Sequence, residues 1–226
     1  MKTHLSLCFF IFGIKALFSQ SASTPAISTI DTKNFPTIGQ VLRLSPELNQ
    51  LIDENAKIEV LGDGFVWAEG PVWIKDDKGG HLLFSDIPRN SVMKWREGSG
   101  VDLFLKPSGY TGASNYGNEP GSNGLILDPK GRLVSCEHGD RRISVLTKAG
   151  GKMTLVDNYN GKRLNSPNDA CYHSNGDLYF TDQGQTGIID QTGRVFRLTK
   201  SGELHKLVTN APSPNGITVN NSENLP

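Results

Sequence analysis

The tripeptide Ser-Pro-Asn stands at 166–168 and returns at 213–215, each time ahead of a short strand-like run. It belongs to a larger repeat. One copy opens at Glu69 ("EGPVWIKDDKGGHLLFSD"), a second at Ser122 ("SNGLILDPKGRLVSCEHGDRR"), a third at Pro167 ("PNDACYHSNGDLYFTD") and a fourth at Pro214 ("PNGITVNNSENLP"). With Glu69, Asn123, Asn168 and Asn215 as equivalent positions, the spacings are 54, 45 and 47 residues. Inside each full copy the apolar residues alternate with period two, and glycine-bearing turns separate the runs. Each copy therefore reads as four strands. A four-stranded unit of about 45 residues repeated in tandem is the signature of a β-propeller, whose blades stack around an axis because none can bury both faces alone. A plain β-sandwich would explain the strands but not the returning asparagine. The expected fold is all-β, with about three and a half blades over residues 59–226.

Residues 1–21 read as an export signal: Lys2, then the apolar stretch Leu5–Phe18, then the small residues of "SQSAS". Lys15 interrupts that stretch, so a transmembrane helix is not expected. Export predicts a secreted or periplasmic protein. Residues 22–58 read as a polar arm and one short helix, with Ser45 as N-cap, Pro46 in the first position, and Leu48, Leu51 and Ile52 on one face. With 23 basic and 23 acidic side chains the net charge is zero, which gives no steering toward nucleic acid or an anionic membrane. Loss of the signal removes Cys8 and leaves Cys136 and Cys171, either as a disulfide or as buried thiols. Their spacing does not suit zinc.

In a propeller the first strand of each blade lines the central channel and starts at the same face. Glu69, Asn123, Asn168 and Asn215 would then converge there. One carboxylate and several amide oxygens make a hard oxygen cage of the kind that suits Ca²⁺. The loops after the second strands lead to that face too, bringing Asp86, His138 and Asp182, and Arg163 lies just upstream of Asn168. Each has a plainer role open to it. An asparagine before a strand can cap its own turn, and Asp86 or Asp182 can cap a loop or bind arginine.

The segments "FVWAEGPVW", "LLFSDIPRNSVMKW", "SNGLILDPKGRLVSCEHGDRRIS", "KRLNSPND" with "GDLYFTD", and "SPNGI" together resemble the gluconolactonase/regucalcin (senescence marker protein) family, over about Ala56 to the end. The resemblance implies a six-bladed propeller that hydrolyses sugar lactones with one divalent cation, Ca²⁺ first, Zn²⁺ or Mg²⁺ as alternatives. It implies Glu69, Asn215 and Asn168 as metal ligands, with Asn168, Arg163 and His138 at the catalytic centre. Asn123, Asp169 and Asp182 would contact substrate. The family's remaining metal-binding aspartate would fall beyond Pro226, so the chain is expected to be partial and weakly active or inactive alone. Two other functions fit the same residues: a non-catalytic propeller that binds a ligand or partner through this face, and a related propeller esterase acting on aryl esters or organophosphates.

Overall fold

The computed structural model of the chain describes residues 34–183 and 193–220. The export signal expected over 1–21 lies outside the described residues, as does the first part of the arm. Two compact units are present: residues up to Phe65 together with Trp95–Val101, and Val66–Lys94 together with Asp102 onward.

In the first unit an isolated bridge joins Thr37 to Glu59, and Phe35 packs on Trp95 with ring centroids 6.1 Å apart. The short helix expected here is present as α1 (Leu48–Leu51), but it is a single turn. Its N-cap is Glu47, with no side-chain cap, rather than Ser45. Ser45 and Pro46 instead offer their carbonyls to the amides of Leu48 and Asn49. No residue of the turn is buried. A four-residue helix is too short to be stable through its own hydrogen bonds, and Arg43 braces this one by donating to Asn49 Oδ1 (2.6 Å) and to the Asp53 carbonyl. Among the described residues, no helix is long and apolar enough to cross a membrane.

The repeat becomes three four-stranded sheets, each in chain order. The first contains β1 (Ala68–Ile74), β2 (His81–Asp86), β3 (Ser91–Arg96) and β4 (Gly100–Leu105). The second contains β5 (Ser122–Leu127), β6 (Leu133–Glu137), β7 (Arg142–Leu146) and β8 (Lys152–Val156). A two-stranded hairpin, β9 (Asn158–Tyr159) and β10 (Lys162–Arg163), precedes the third sheet. That sheet holds β11 (Pro167–Tyr172), β12 (Leu178–Asp182), β13 (Gly193–Leu198) and β14 (Leu204–Ala211).

The turn chemistry explains why the hairpins form where the glycines stand. In the second sheet Asp128 Oδ1 accepts from Lys130 N at 2.9 Å and Arg132 N at 2.8 Å, while Gly131 takes φ +74°. A side-chain acceptor plus one left-handed glycine closes the β5–β6 turn. Asp76 does the same in the first sheet, accepting from Lys78 N and Gly80 N at 2.9 Å each.

The core lies between sheets. Leu83 and Val92 of the first sheet pack on Leu125 and Leu133 of the second. Val134, Cys136, Ile143 and Val145 of the second meet Ala170, Leu178, Phe180 and Phe196 of the third. Phe180 and Phe196 stack at 5.2 Å, and neither is exposed by more than 1%. The outermost strand β14 is exposed along six of its eight residues. Burial thus runs from sheet to sheet, as stacked units require.

The fourth copy departs from expectation. Residues 214–220, expected to open another blade, form no strand. They dock on the third sheet instead: Thr181 Oγ1 donates to the Asn215 carbonyl at 2.6 Å, and Ile217 N donates to Asp169 Oδ2 at 3.1 Å.

Cys136 and Cys171 are both free thiols. Burial, followed by the charge of Asp169, pushes both up, Cys136 well above the ordinary thiol range and Cys171 to about 11. A thiol with so little thiolate is a poor nucleophile. Iodoacetamide labelling mapped by mass spectrometry at neutral pH is expected to leave both positions unmodified in the folded protein and to modify both in guanidinium. Rapid native labelling of Cys136 would contradict the buried position on β6.

Candidate functional site

The site begins with three acidic residues at the ends of the second strands. Ala68 pairs with Asp86, Ser122 with Glu137 and Pro167 with Asp182. Glu69, Asn123 and Asn168 each follow the first member of such a pair. They are structurally equivalent, as the repeat spacing predicts. Directly after the pair the register shifts in all three sheets, between Glu69 and Val72, Ser122 and Leu125, and Pro167 and Ala170. A bulge re-aims the residues it contains. Here it contains Asn123 and Asn168, and in the first sheet it begins directly after Glu69, which still pairs with Ser85.

Two of the paired carboxylates, Asp86 and Asp182, hold the backbone that leads into their strand heads, while Glu137 ties together β6, β7 and β8. All three are fully buried. Asp182 Oδ1 accepts from Asn165 N (2.9 Å) and Ser166 N (2.8 Å), and Arg194 approaches its Oδ2 at 3.9 Å. Asp86 Oδ1 accepts from Val66 N (3.3 Å) and Trp67 N (3.2 Å), and Arg89 pairs with its Oδ2 at 3.1 Å. Glu137 accepts from Arg142 Nε and Lys152 Nζ, both at 2.7 Å, and from Ser144 Oγ. Asp182, expected to contact substrate, therefore faces the backbone that leads into its own sheet. Burial raises its pKa, and the Asn165 and Ser166 amides oppose that. Asp86 takes the plainer role the sequence left open, binding Arg89 and the chain ahead of β1.

The heads are stacked backbone to backbone. A Cβ placed on Gly70 would lie 2.1 Å from the Asn123 carbonyl oxygen, and one on Gly124 would lie 2.7 Å from that of Asn168. Ser85 Oγ of β2 donates to the Asn123 carbonyl at 2.9 Å, as Thr181 Oγ1 of β12 does to that of Asn215. A hydroxyl on one second strand thus anchors the next asparagine, twice over. Glu69, Asn123, Asn168 and Asn215 stand on four consecutive backbone segments, each packed on the one before.

Glu69 Oε1 accepts from Trp67 Nε1 at 3.1 Å, which fixes the carboxylate and leaves its other oxygen to act. Asn123 is buried, and its Nδ2 lies 3.4 Å from His138 Nε2. On the other side of that imidazole, Nδ1 lies 3.4 Å from Glu119 Oε2. His138 is only 1% exposed, and Tyr116 Oη donates to its carbonyl at 2.9 Å. Asp169 sits against the Gly124 backbone. Burial pushes its carboxyl up, opposed by the amides of Ile217 and Ala170. Arg163 is exposed and donates to the Asp140 carbonyl at 2.5 Å. The structure brings Asn123 and His138 together through their side chains, and the three strand heads and the Asn215 segment together through their backbones.

Glu119, Tyr116 and Glu137 are additions to the sequence-based set. Glu137 was legible, since "FSD", "SCE" and "FTD" end on an acidic residue in each copy. Glu119 and Tyr116 lie on the 106–121 connection, which has no strand period to place them.

The donor chemistry of the heads fits a hard divalent cation. All the candidate donors are oxygens, one of them charged. Among the described residues no three His, Cys, Asp or Glu side chains come together, so a cation here would rely on amide oxygens beside Glu69.

Residues 67–225 match the SMP-30/Gluconolactonase/LRE-like region. A gluconolactonase of Zymomonas mobilis is 39% identical over 201 residues, covering 84% of this chain and 56% of that protein. The chain thus spans about half the length of this curated relative. Among solved structures, a structural-genomics target described as a candidate gluconolactonase superposes with a TM-score of 0.67 at 29% identity, over 80% of this chain and 61% of its own. A gluconolactonase from Xanthomonas campestris superposes with a TM-score of 0.58 at 32% identity, over 69% of this chain and 52% of its own.

Proposed function

Because the chain belongs to the SMP-30/gluconolactonase/LRE-like family, we propose that it carries part of the catalytic face of a divalent-metal-dependent sugar lactonase. The observation that carries this reading is the stacking of the Glu69, Asn123, Asn168 and Asn215 segments. It stacks the backbone segments that carry one carboxylate and three amide side chains. The likeness to gluconolactonases supports the reaction type, and the three stacked sheets support a propeller-like arrangement, which the family resemblance would complete to six blades.

In this reading Glu69, Asn168 and Asn215 hold the cation, Ca²⁺ in the first instance. When bound, such an ion polarises the lactone carbonyl and stabilises the charge that develops on it during attack by water. The chain's own residues do the rest. Trp67 fixes the Glu69 carboxylate by its indole N–H. Asn123 presents its amide next to His138, which is enclosed against water with the Glu119 carboxylate 3.4 Å from its Nδ1. Asp169, held by the Ile217 amide, and Arg163 orient the hydroxyls of the sugar. Export to the periplasm or beyond is proposed from residues 1–21.

Hydrolysis of a δ-aldonolactone in a pH-stat tests this. The 226-residue chain is expected to turn the lactone over slowly but above the uncatalysed rate. A chelator should abolish the turnover, and Ca²⁺ should restore it. Turnover that persists in chelator, or a chain that binds no cation and hydrolyses no lactone, would contradict the proposal.

A further inference from the structure

Arg141 and Arg163 are arranged reciprocally. Arg163 Nη2 donates to the carbonyl of Asp140, the residue before Arg141, at 2.5 Å. Arg141 Nε donates to the carbonyl of Leu164, the residue after Arg163, at 2.6 Å. Each guanidinium is thus fastened beside the backbone that carries the other, close enough for the Arg163 charge to act on Arg141. Arg141 adopts φ +56°, a left-handed conformation that a long side chain takes only where its surroundings enforce it.

Other arginines of this unit are paired with carboxylates: Arg89 with Asp86 at 3.1 Å, Arg132 with Asp128 at 2.7 Å and Arg142 with Glu137 at 2.7 Å. Arg141 and Arg163 form no ion pair within 4.0 Å among the described residues. A guanidinium carries five N–H donors, and the described contacts engage one on each. The pair therefore combines mutual repulsion with donors that no described contact engages, on a half-buried Arg141 and an exposed Arg163 near Tyr116, whose own hydroxyl donates to the His138 carbonyl. Burial and then the Arg163 charge press Arg141 downward from the usual arginine range, opposed by Tyr116 and Asp182, and burial raises the Tyr116 hydroxyl, opposed by both arginines. An oxyanion placed between the two heads would relieve the repulsion and accept from both forks.

We propose that Arg141 and Arg163 form an anion-binding subsite that takes the carboxylate or phosphate of an acidic sugar. Arg141 lies three residues beyond His138, and Arg163 five residues ahead of Asn168. A ligand held there lies along the segments that carry the candidate site, so the subsite would favour acidic over neutral lactones. The preference for a lactone rests on the function proposed above; the anion site itself does not.

Calorimetry of the 226-residue chain in chelator, where no cation contributes, tests it. The probes are D-gluconate, D-gluconate phosphorylated on its terminal hydroxyl, and neutral D-glucitol. The acids are expected to bind at least about tenfold more tightly than glucitol, and the tighter of the two identifies the preferred oxyanion. Arg141→Gln and Arg163→Gln should each remove that advantage, and Arg163→Lys should keep part of it, with melting temperatures near that of the parent. Acids that bind no better than glucitol, or bind Arg141→Gln as well as the parent, overturn the subsite. If those results came with chelator-sensitive hydrolysis of a neutral lactone, the lactonase reading would survive. Arginine-dependent acid binding without any lactone hydrolysis would leave the subsite standing and remove the lactonase.

Discussion

Glu69→Gln is expected to lower kcat/KM for lactone hydrolysis by at least about a hundredfold, with little change in melting temperature. The substitution keeps the side chain's size and an oxygen for Trp67 Nε1, which lies 3.1 Å from Oε1. What it removes is the negative charge. Glu69 is the charged member of the proposed donor set, and the amide oxygens of Asn168 and Asn215 carry only dipoles. A raised Ca²⁺ concentration should recover part of the rate, since the deficit is one of affinity before it is one of chemistry. A variant with undiminished turnover at ordinary Ca²⁺ would exclude Glu69 from the metal site. A variant that loses its rate together with several degrees of melting temperature would point to a structural role.

Gly70→Ala should be the most damaging small substitution at the strand heads. Gly70 has φ +57°, where a side chain costs about 1–2 kcal/mol. Its Cβ would also stand 2.1 Å from the Asn123 carbonyl oxygen. That contact is with backbone and cannot be relieved by turning a side chain. Forcing it apart adds about 1–3 kcal/mol, as overpacking does elsewhere. A total of about 2–5 kcal/mol is a large part of the stability of an ordinary domain. Gly131→Ala provides the comparison: φ is +74° there too, but nothing lies within 4 Å of the new Cβ. Its cost should be limited to about 1 kcal/mol. Urea midpoints of the two variants separate the effects, and equal midpoints would mean that the first and second sheets do not meet as closely as described.

The contrast between these glycines bears on what a sequence can convey. Gly131 sits in a polar turn that its neighbours Asp128 and Lys130 announce. Gly70 sits in a strand, and only the spacing of Glu69 against Asn123 and Asn168 hints that it marks a bulge. Three sheets were legible because alternation and glycine turns are local signals, repeated three times. The equivalence of Glu69, Asn123 and Asn168 was legible for the same reason, and the register bears it out. The segment after Ser213 repeats the tripeptide without the strand. A strand needs a neighbour to pair with, and Asn215 and Ile217 find theirs in Thr181 and Asp169 rather than in a second strand. Asp182 shows another limit. An aspartate at the end of a strand can turn to a ligand or to the chain ahead of its own sheet, and only the fold shows that it accepts from Asn165 and Ser166. Glu119 was hidden because its place beside His138 is set by a connection without periodicity.

Terbium luminescence would test the metal site most directly. Tb³⁺ takes the same oxygen ligands as Ca²⁺ and emits when a tryptophan close by is excited. Trp67, hydrogen-bonded to Glu69, is placed to act as that donor. Sensitised emission should appear when Tb³⁺ is added to the 226-residue chain. It should fall away on adding Ca²⁺, and it should be lost in both Glu69→Gln and Trp67→Phe. Emission that is absent from the parent, or that survives Glu69→Gln undiminished, would mean that these strand heads do not gather around a cation.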